Sequence, residues 1–162
     1  MSTSTDTGVT ITADPELPVI HITRDFQATP AQLQRAHADP DLYARWVGPA
    51  DMTTEIDHWD ARSGGSWAFS NLRAGERHSF RGCFHEVRTD RLVQTFTYLQ
   101  DPDGVALETL TFEDLGEGRS RLHAQVLVDS FASRNAWLAS GMEGGMHDGY
   151  AKHDDLLAAG DV

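Results

Sequence analysis

Between Ser133 and Ala159 the chain has the apolar period of an amphipathic helix and yet carries glycine at 141, 144, 145 and 149. Each interior glycine costs a helix roughly 1 kcal/mol relative to alanine, so only packing against the rest of the fold can hold such a segment. Leu138, Met142, Met146, Tyr150, His153 and Leu157 recur at spacings of three and four and form one stripe. Gly141, Gly145 and Gly149 form a second ridge beside it. A ridge without side chains lets another backbone or a bulky group come close. That implies tight helix-to-sheet packing, a dimer contact, or room for a ligand beside the adaptable Met142 and Met146. The charges spread through the segment exclude a membrane span.

The remainder must therefore supply a partner for this helix. From Met52 to Asp129 nearly every segment alternates as a strand, with punctuation at Ser63-Gly64-Gly65, Ala74-Gly75, Thr89-Asp90, Asp101-Pro102-Asp103-Gly104 and Gly116-Glu117-Gly118. Such short connections make antiparallel hairpins. A seventh strand precedes them at Leu17 to Phe26. Thr29 before Pro30 opens a short helix to Ala38, and Asp39-Pro40 opens a second through Trp46, which Gly48-Pro49 ends. The order predicts an α+β fold: a curved antiparallel sheet of about seven strands, two short helices, and a long C-terminal helix covering one face. By phase, that face carries Trp67, Phe69, Phe80, Gly82, Phe84, Phe96 and Tyr98, continued by Leu110, Phe112, Leu122, Ala124, Val126 and Val128.

Charge and length narrow the partners. With 162 residues the chain is one domain, taken as residues 15–162 behind a flexible tail at 1–14. A net charge of −12, from 25 acidic against 13 basic residues, repels phosphate backbones and anionic membranes, so neither nucleic acid nor a membrane is expected. The tail has no basic start and no apolar run, and the single cysteine, Cys83, allows no internal disulfide. The expectation is a cytoplasmic protein.

Several segments resemble a known family. Arg45-Trp46-Val47-Gly48-Pro49 follows the short helices, and Asp60-Ala61-Arg62-Ser63-Gly64-Gly65-Ser66-Trp67-Ala68-Phe69 forms a hairpin. Gly82-Cys83-Phe84-His85-Glu86-Val87 precedes Arg91-Leu92-Val93-Gln94-Thr95-Phe96, and Ser140-Gly141-Met142-Glu143-Gly144-Gly145 leads to His153-Asp154-Asp155-Leu156-Leu157. From about Val19 to Ala159 the chain resembles the START/polyketide-cyclase-like (SRPBCC) superfamily, in its branch similar to the C-terminal domain of the heat-shock-protein-90 ATPase activators. The resemblance implies a helix-grip fold with a hollow between sheet and C-terminal helix, able to hold a small apolar molecule. Family members often carry an aromatic residue where Met146 stands.

The chemistry offered by the residues themselves is sparse. The eight histidines show neither HxH nor HExxH spacing, and no phosphate loop, dinucleotide fingerprint or GxSxG elbow is present, so neither a metal nor another cofactor is implied. Glu108 shares the phase of Ala106, Leu110 and Phe112 and points inward unless it sits at the rim or pairs with Arg81 or Arg121. A carboxyl in a dry interior has a raised pKa and can shuttle a proton or bind a ligand. The first reading is a binder of a small hydrophobic or aromatic ligand, contacted by Trp67, Phe69, Phe84, Phe96, Tyr98, Glu108, Met142, Met146 and Tyr150. The alternative is a cyclase-type enzyme with Glu108 and Tyr98 as polar participants, and a third reading is a stress-related, chaperone-interacting domain. A homodimer on the glycine ridge fits any of the three.

Overall fold

Thr29 starts the first helix, Pro30–Ala38 (α1), through a capping box: its hydroxyl accepts from Gln32 N at 3.2 Å while Gln32 Oε1 accepts from Thr29 N at 2.9 Å. Asp39 ends α1 and caps the second, Pro40–Trp46 (α2), accepting from Asp41 N at 2.9 Å. The computed structural model describes residues 8–162. Its strands are β1 (Thr10–Ala13), β2 (Val19–Phe26), β3 (Thr53–Trp59), β4 (Ser66–Arg73), β5 (Glu76–Val87), β6 (Arg91–Tyr98), β7 (Ala106–Gly116) and β8 (Arg119–Leu127). They form one antiparallel sheet in the order β1-β2-β8-β7-β6-β5-β4-β3, so the chain crosses only once, from β2 past the two helices to the far edge. Bulges between Ile56 and His58, Phe84 and Glu86, and Asp114 and Gly116 bend it. The sheet wraps around the helices as a helix-grip fold.

Two expectations change. The sheet has eight strands rather than seven, because Thr10–Ala13, expected to belong to a flexible tail, pairs with β2 from Thr10↔Thr23 to Ala13↔Ile20. Residues 1–7 of that expected tail lie outside the described residues. The long C-terminal helix is two helices, Phe131–Ala139 (α3) and Met142–Ala158 (α4), because Gly141 adopts the left-handed conformation, φ 83°. A left-handed residue ends α3, and only glycine takes that geometry without a Cβ penalty.

The glycine ridge packs on the loop after α2, not on the sheet. A Cβ on Gly149 would lie 3.1 Å from the Trp46 carbonyl oxygen and 3.5 Å from Gly48 N, and one on Gly145 would lie 3.7 Å from the Pro49 ring. Lys152 Nζ donates to the Pro49 carbonyl at 3.1 Å and Asp148 Oδ2 accepts from Ala50 N at 3.2 Å, pinning the same loop. Gly144 faces open space. The core follows the expected inner phase, with Trp67, Phe69, Phe84, Leu122, Val126 and Tyr150 among the buried residues. No helix among the described residues is long and apolar enough to cross a membrane.

Candidate functional site

The interior between sheet and helices has a closed end and a looser one. At the closed end Tyr150, His153 and Leu156 of α4 are buried against β2, α1 and α2. Phe26 meets the Tyr150 ring edge-on at 5.4 Å, and Trp46 stacks on Tyr150 at 5.7 Å. Arg24, buried on the inner face of β2, donates two hydrogen bonds to the Asp154 carboxylate on α4, at 2.9 and 2.7 Å. Its guanidinium also lies over the Phe26 ring at 4.6 Å. This ion pair locks the end of α4 onto the sheet.

At the looser end an aromatic floor runs across β4, β5 and β6. Trp67 stacks on Phe69 at 5.5 Å and meets Phe96 at 5.3 Å, while Phe80 bridges Phe69, Phe96 and Tyr98 at 5.0, 5.3 and 5.1 Å. A Cβ on Gly82 would lie 2.5 Å from the Trp67 indole, so that glycine is what lets the indole lie flat. Above the floor, Trp137 of α3 reaches Phe96 at 6.0 Å, and Leu138, Met142 and Met146 pack against the same cluster while remaining half-buried. Phe84 is fully buried under Trp59, at 5.6 Å.

Glu108 stands where the two ends meet. It does not sit at an ion-paired rim: Arg121 is taken by Asp25 at 2.7 Å, and Glu108 Oε1 accepts from Gln94 Nε2 at 2.9 Å across the β6–β7 ladder. The Glu108 side chain is half-buried, with protein packed around its carboxyl. Burial without a cationic partner pushes it up to about 7, against the smaller opposing effect of the Gln94 bond. Two phenols on the helices feel its charge. Tyr43 on α2 and Tyr150 on α4 are raised first by burial and then by the nearby Glu108 charge.

Among the described residues neither phenol hydroxyl has a hydrogen-bond partner, and Glu108 Oε2 has none. The Trp67 Nε1 hydrogen is also buried without an acceptor, whereas Trp46 and Trp59 donate theirs to the α1 carbonyls of Ala36 and Ala38 at 2.9 and 2.8 Å. An interior with several unsatisfied polar groups suits a ligand carrying its own donors and acceptors.

The structure does not bring Tyr98 to Glu108. Tyr98 lies four residues along β6 from Gln94, about 13 Å of strand. Its hydroxyl is hydrogen-bonded to His78 Nδ1 at 2.6 Å, and burial raises its pKa. The tyrosines that feel the Glu108 charge are instead Tyr150, expected as a ligand contact, and Tyr43, which sequence reasoning passed over. The signal for Tyr43 was present in its three-residue spacing from Trp46 on a helix that has to bury a face. Two open surface recesses, of about 610 and 350 Å³, lie elsewhere, around Arg73 at the β4–β5 hairpin, where charged side chains line them.

Comparison with other proteins agrees with this architecture. Ms6760 from Mycobacterium smegmatis superimposes with a TM-score of 0.82 at 20% identity, over 92% of this chain and 96% of its own. A protein from Rhodobacter sphaeroides does so with 0.84 at 26% identity, over 94% and 99%. DynU16, from the dynemicin biosynthetic locus, shares the fold at 18% identity with a TM-score of 0.65, over 88% of this chain and 48% of its own. None of the curated proteins matches the sequence. The family described as "Activator of Hsp90 ATPase homolog 1-like protein" has a model that matches residues 27–158, and the chain belongs to that family.

Proposed function

We propose that this single helix-grip domain, which includes β1, binds a small apolar or aromatic molecule between the sheet and the α3–α4 pair, as a cytoplasmic protein. The observation that carries the reading is the half-buried cover of Trp137, Leu138, Met142 and Met146 over an aromatic floor that includes Phe96 and Phe80. Methionine at two of the four cover positions suits a surface that re-forms around a guest. Enlarging the interior requires the cover to move, and Gly141, left-handed between α3 and α4, is the joint that absorbs it. With the net charge of −12, nucleic acid and anionic membranes remain unsuitable partners. A homodimer would use a surface other than the glycine ridge, because Gly145 and Gly149 already meet the Trp46–Ala50 loop.

The test is a fluorescence titration with N-phenyl-1-naphthylamine, a neutral reporter that brightens in apolar sites. Saturable brightening in the wild type, lost in Met146→Trp and kept in the open-space variant Gly144→Ala, supports the reading. Absence of saturable binding, or equal binding by Met146→Trp, overturns it.

A cyclase-type enzyme is the second reading, favoured by a carboxyl raised to about 7 beside two phenols on the inner face. It places proton transfer at Glu108, with Tyr98 outside the reacting centre. Turnover of an aromatic or polyketide-like substrate that survives Glu108→Gln would exclude that role. The chaperone-interacting reading draws on the family description, and an Hsp90 pull-down with a purified chaperone tests it directly.

A further inference from the structure

We propose that the end of the sheet where β2 and β7 begin and β6 and β8 finish is a docking surface for a basic amphipathic segment of a partner protein, one that presents apolar side chains bordered by lysine or arginine. This goes beyond the interior-ligand reading and is independent of it. Among the described residues six large apolar side chains are exposed, namely Leu17, Leu99, Val105, Leu107, Leu127 and Phe131, each between 40 and 54% open to solvent. All six stand at that one end. β2, β8, β7 and β6 are consecutive antiparallel neighbours, so the residues before Val19, after Leu127, before Ala106 and after Tyr98 are brought together. Leu127 is the register partner of Leu107 on one side and of Val19 on the other. Their chain neighbours Ala106, Val126 and Val128 are buried in the core, so Leu107 and Leu127 stand on the outer face. Leu99 and Val105 flank the β6–β7 turn. Arg134 joins the remaining two, since its guanidinium lies 5.0 Å over the Phe131 ring and donates to the Leu17 carbonyl at 3.0 Å. Scattered singly, such residues would be ordinary surface, but gathered at one end they mark an interaction site.

The charges at this end say what covers it. Glu16 precedes Leu17, Asp101 and Asp103 lie in the turn between Leu99 and Val105, and Asp129 lies between Leu127 and Phe131. All four are exposed, and among the described residues none of their carboxylates has an ion-pair or hydrogen-bond partner. Arg134 is engaged by the Asp14 and Leu17 carbonyls at 2.6 and 3.0 Å, and Arg81, opposite Thr97 in the register, borders the patch from the β5 side alone. An apolar surface interleaved with four unpaired carboxylates repels an acidic partner and attracts a cationic one. The same balance, on a chain of net charge −12, opposes pairing of this end with a second copy of itself and docking on an anionic membrane. A basic amphipathic segment satisfies both halves of the surface, its apolar face covering the leucines and its cations meeting the carboxylates.

The experiment is fluorescence anisotropy of a fluorescein-labelled amphipathic peptide built from leucine and lysine, titrated with the purified protein beside its counterpart carrying glutamate in place of lysine. The lysine peptide is expected to bind saturably, and the glutamate peptide at least about tenfold more weakly. Leu107→Lys and Leu127→Lys, both at exposed positions and checked for folding by circular dichroism, should each weaken the lysine peptide at least about tenfold. Thr53→Lys makes the same charge change at an exposed position on β3, the far edge of the sheet, and should stay within about twofold of wild type. Asp103→Asn combined with Asp129→Asn should weaken the lysine peptide several-fold. Absence of saturable binding, equal binding of the two peptides, or equal loss in Thr53→Lys and the two leucine variants overturns the assignment. So does a wild-type dimer in sedimentation velocity that Leu127→Lys dissolves, because a second copy would then be the occupant. None of these outcomes bears on the interior, which the naphthylamine titration tests separately.

Discussion

The carbonyl oxygen of Trp46 lies 3.1 Å from the point where a Cβ on Gly149 would stand, which makes α4 and the loop after α2 a backbone-to-backbone contact. The position of Gly144, five residues earlier, has no neighbouring atom within 4 Å. The two glycines therefore make opposite predictions despite sharing a helix. Gly144→Ala should stabilise the protein by about 0.5–1 kcal/mol, the helix-propensity gain with nothing to oppose it. Gly149→Leu should destabilise it by more than about 2 kcal/mol, because the loop backbone cannot yield as a flexible side chain can. Urea melts of the two variants, read as midpoint shifts at unchanged slope, decide the point.

Asp154 should matter more than its half-exposed position suggests. Its side chain is 40% exposed, whereas that of Arg24 is 4% exposed, so removing the carboxylate leaves a guanidinium buried without a counter-charge. Asp154→Ala is expected to cost about 2–3 kcal/mol, near the lower end for breaking a buried pair because one partner already touches water. Replacing both residues together, Arg24→Met with Asp154→Leu, should recover most of that loss. If the double variant is as unstable as the single one, the pair is not what holds the end of α4 to β2.

Much of this architecture was legible in the sequence because it is written in local periods. The capped starts of α1 and α2 stand at Thr29 and Asp39 as expected, and the period-two alternation placed Trp67, Phe69, Phe84 and Phe96 on the inner face. Features that depend on distant residues were not legible. Thr10–Ala13 is only four residues long, and becomes a strand because the edge of β2 offers it hydrogen bonds and the core offers Ile11 a place to pack. Gly141 falls on the helical period like any interior glycine, so its left-handed φ and the break it makes stay hidden. Arg24 alternates in step with Ile20, Ile22 and Phe26, but the partner that makes its burial tolerable lies on α4, 130 residues away. Tyr43 and Glu108 likewise sit on separate elements, 65 residues apart in the sequence.

Glu108 should also reveal itself through stability. Its folded-state pKa of about 7 exceeds the ordinary 4.5, so the folded protein binds this proton more tightly than the unfolded chain does. Stability contributed by the protonated form is present in full below about pH 4.5 and is lost as pH rises through 7, a cost of up to about 3 kcal/mol. Glu108→Gln removes the titration. It should therefore be more stable than wild type at pH 8 and nearly equal to it at pH 4.5. A stability difference that does not change with pH would place the carboxyl in solvent.

His153 carries the opposite sign. It is fully buried, neither ring nitrogen has a partner, and its ring lies 5.9 Å from that of His37, whose Nδ1–H donates to the Leu33 carbonyl at 2.8 Å. Burial first, then the neighbouring His37 and Arg24, lower His153 to about 3, and burial lowers His37 to about 4. The unfolded chain thus takes up these protons near 6.5 while the folded one refuses them, so stability is full above about pH 6.5 and is lost as pH falls toward the folded values. Asp154, the next residue along α4, is held by Arg24. His153→Leu keeps the volume and removes both the titration and two unsatisfied nitrogens. Its acid unfolding midpoint should drop by about 1 pH unit, with His37 accounting for the acid sensitivity that remains, and at pH 7.5 it should gain about 1 kcal/mol from the deleted polar atoms. An unchanged acid midpoint, followed by far-ultraviolet circular dichroism, would show that His153 is not a group whose protonation opens the fold.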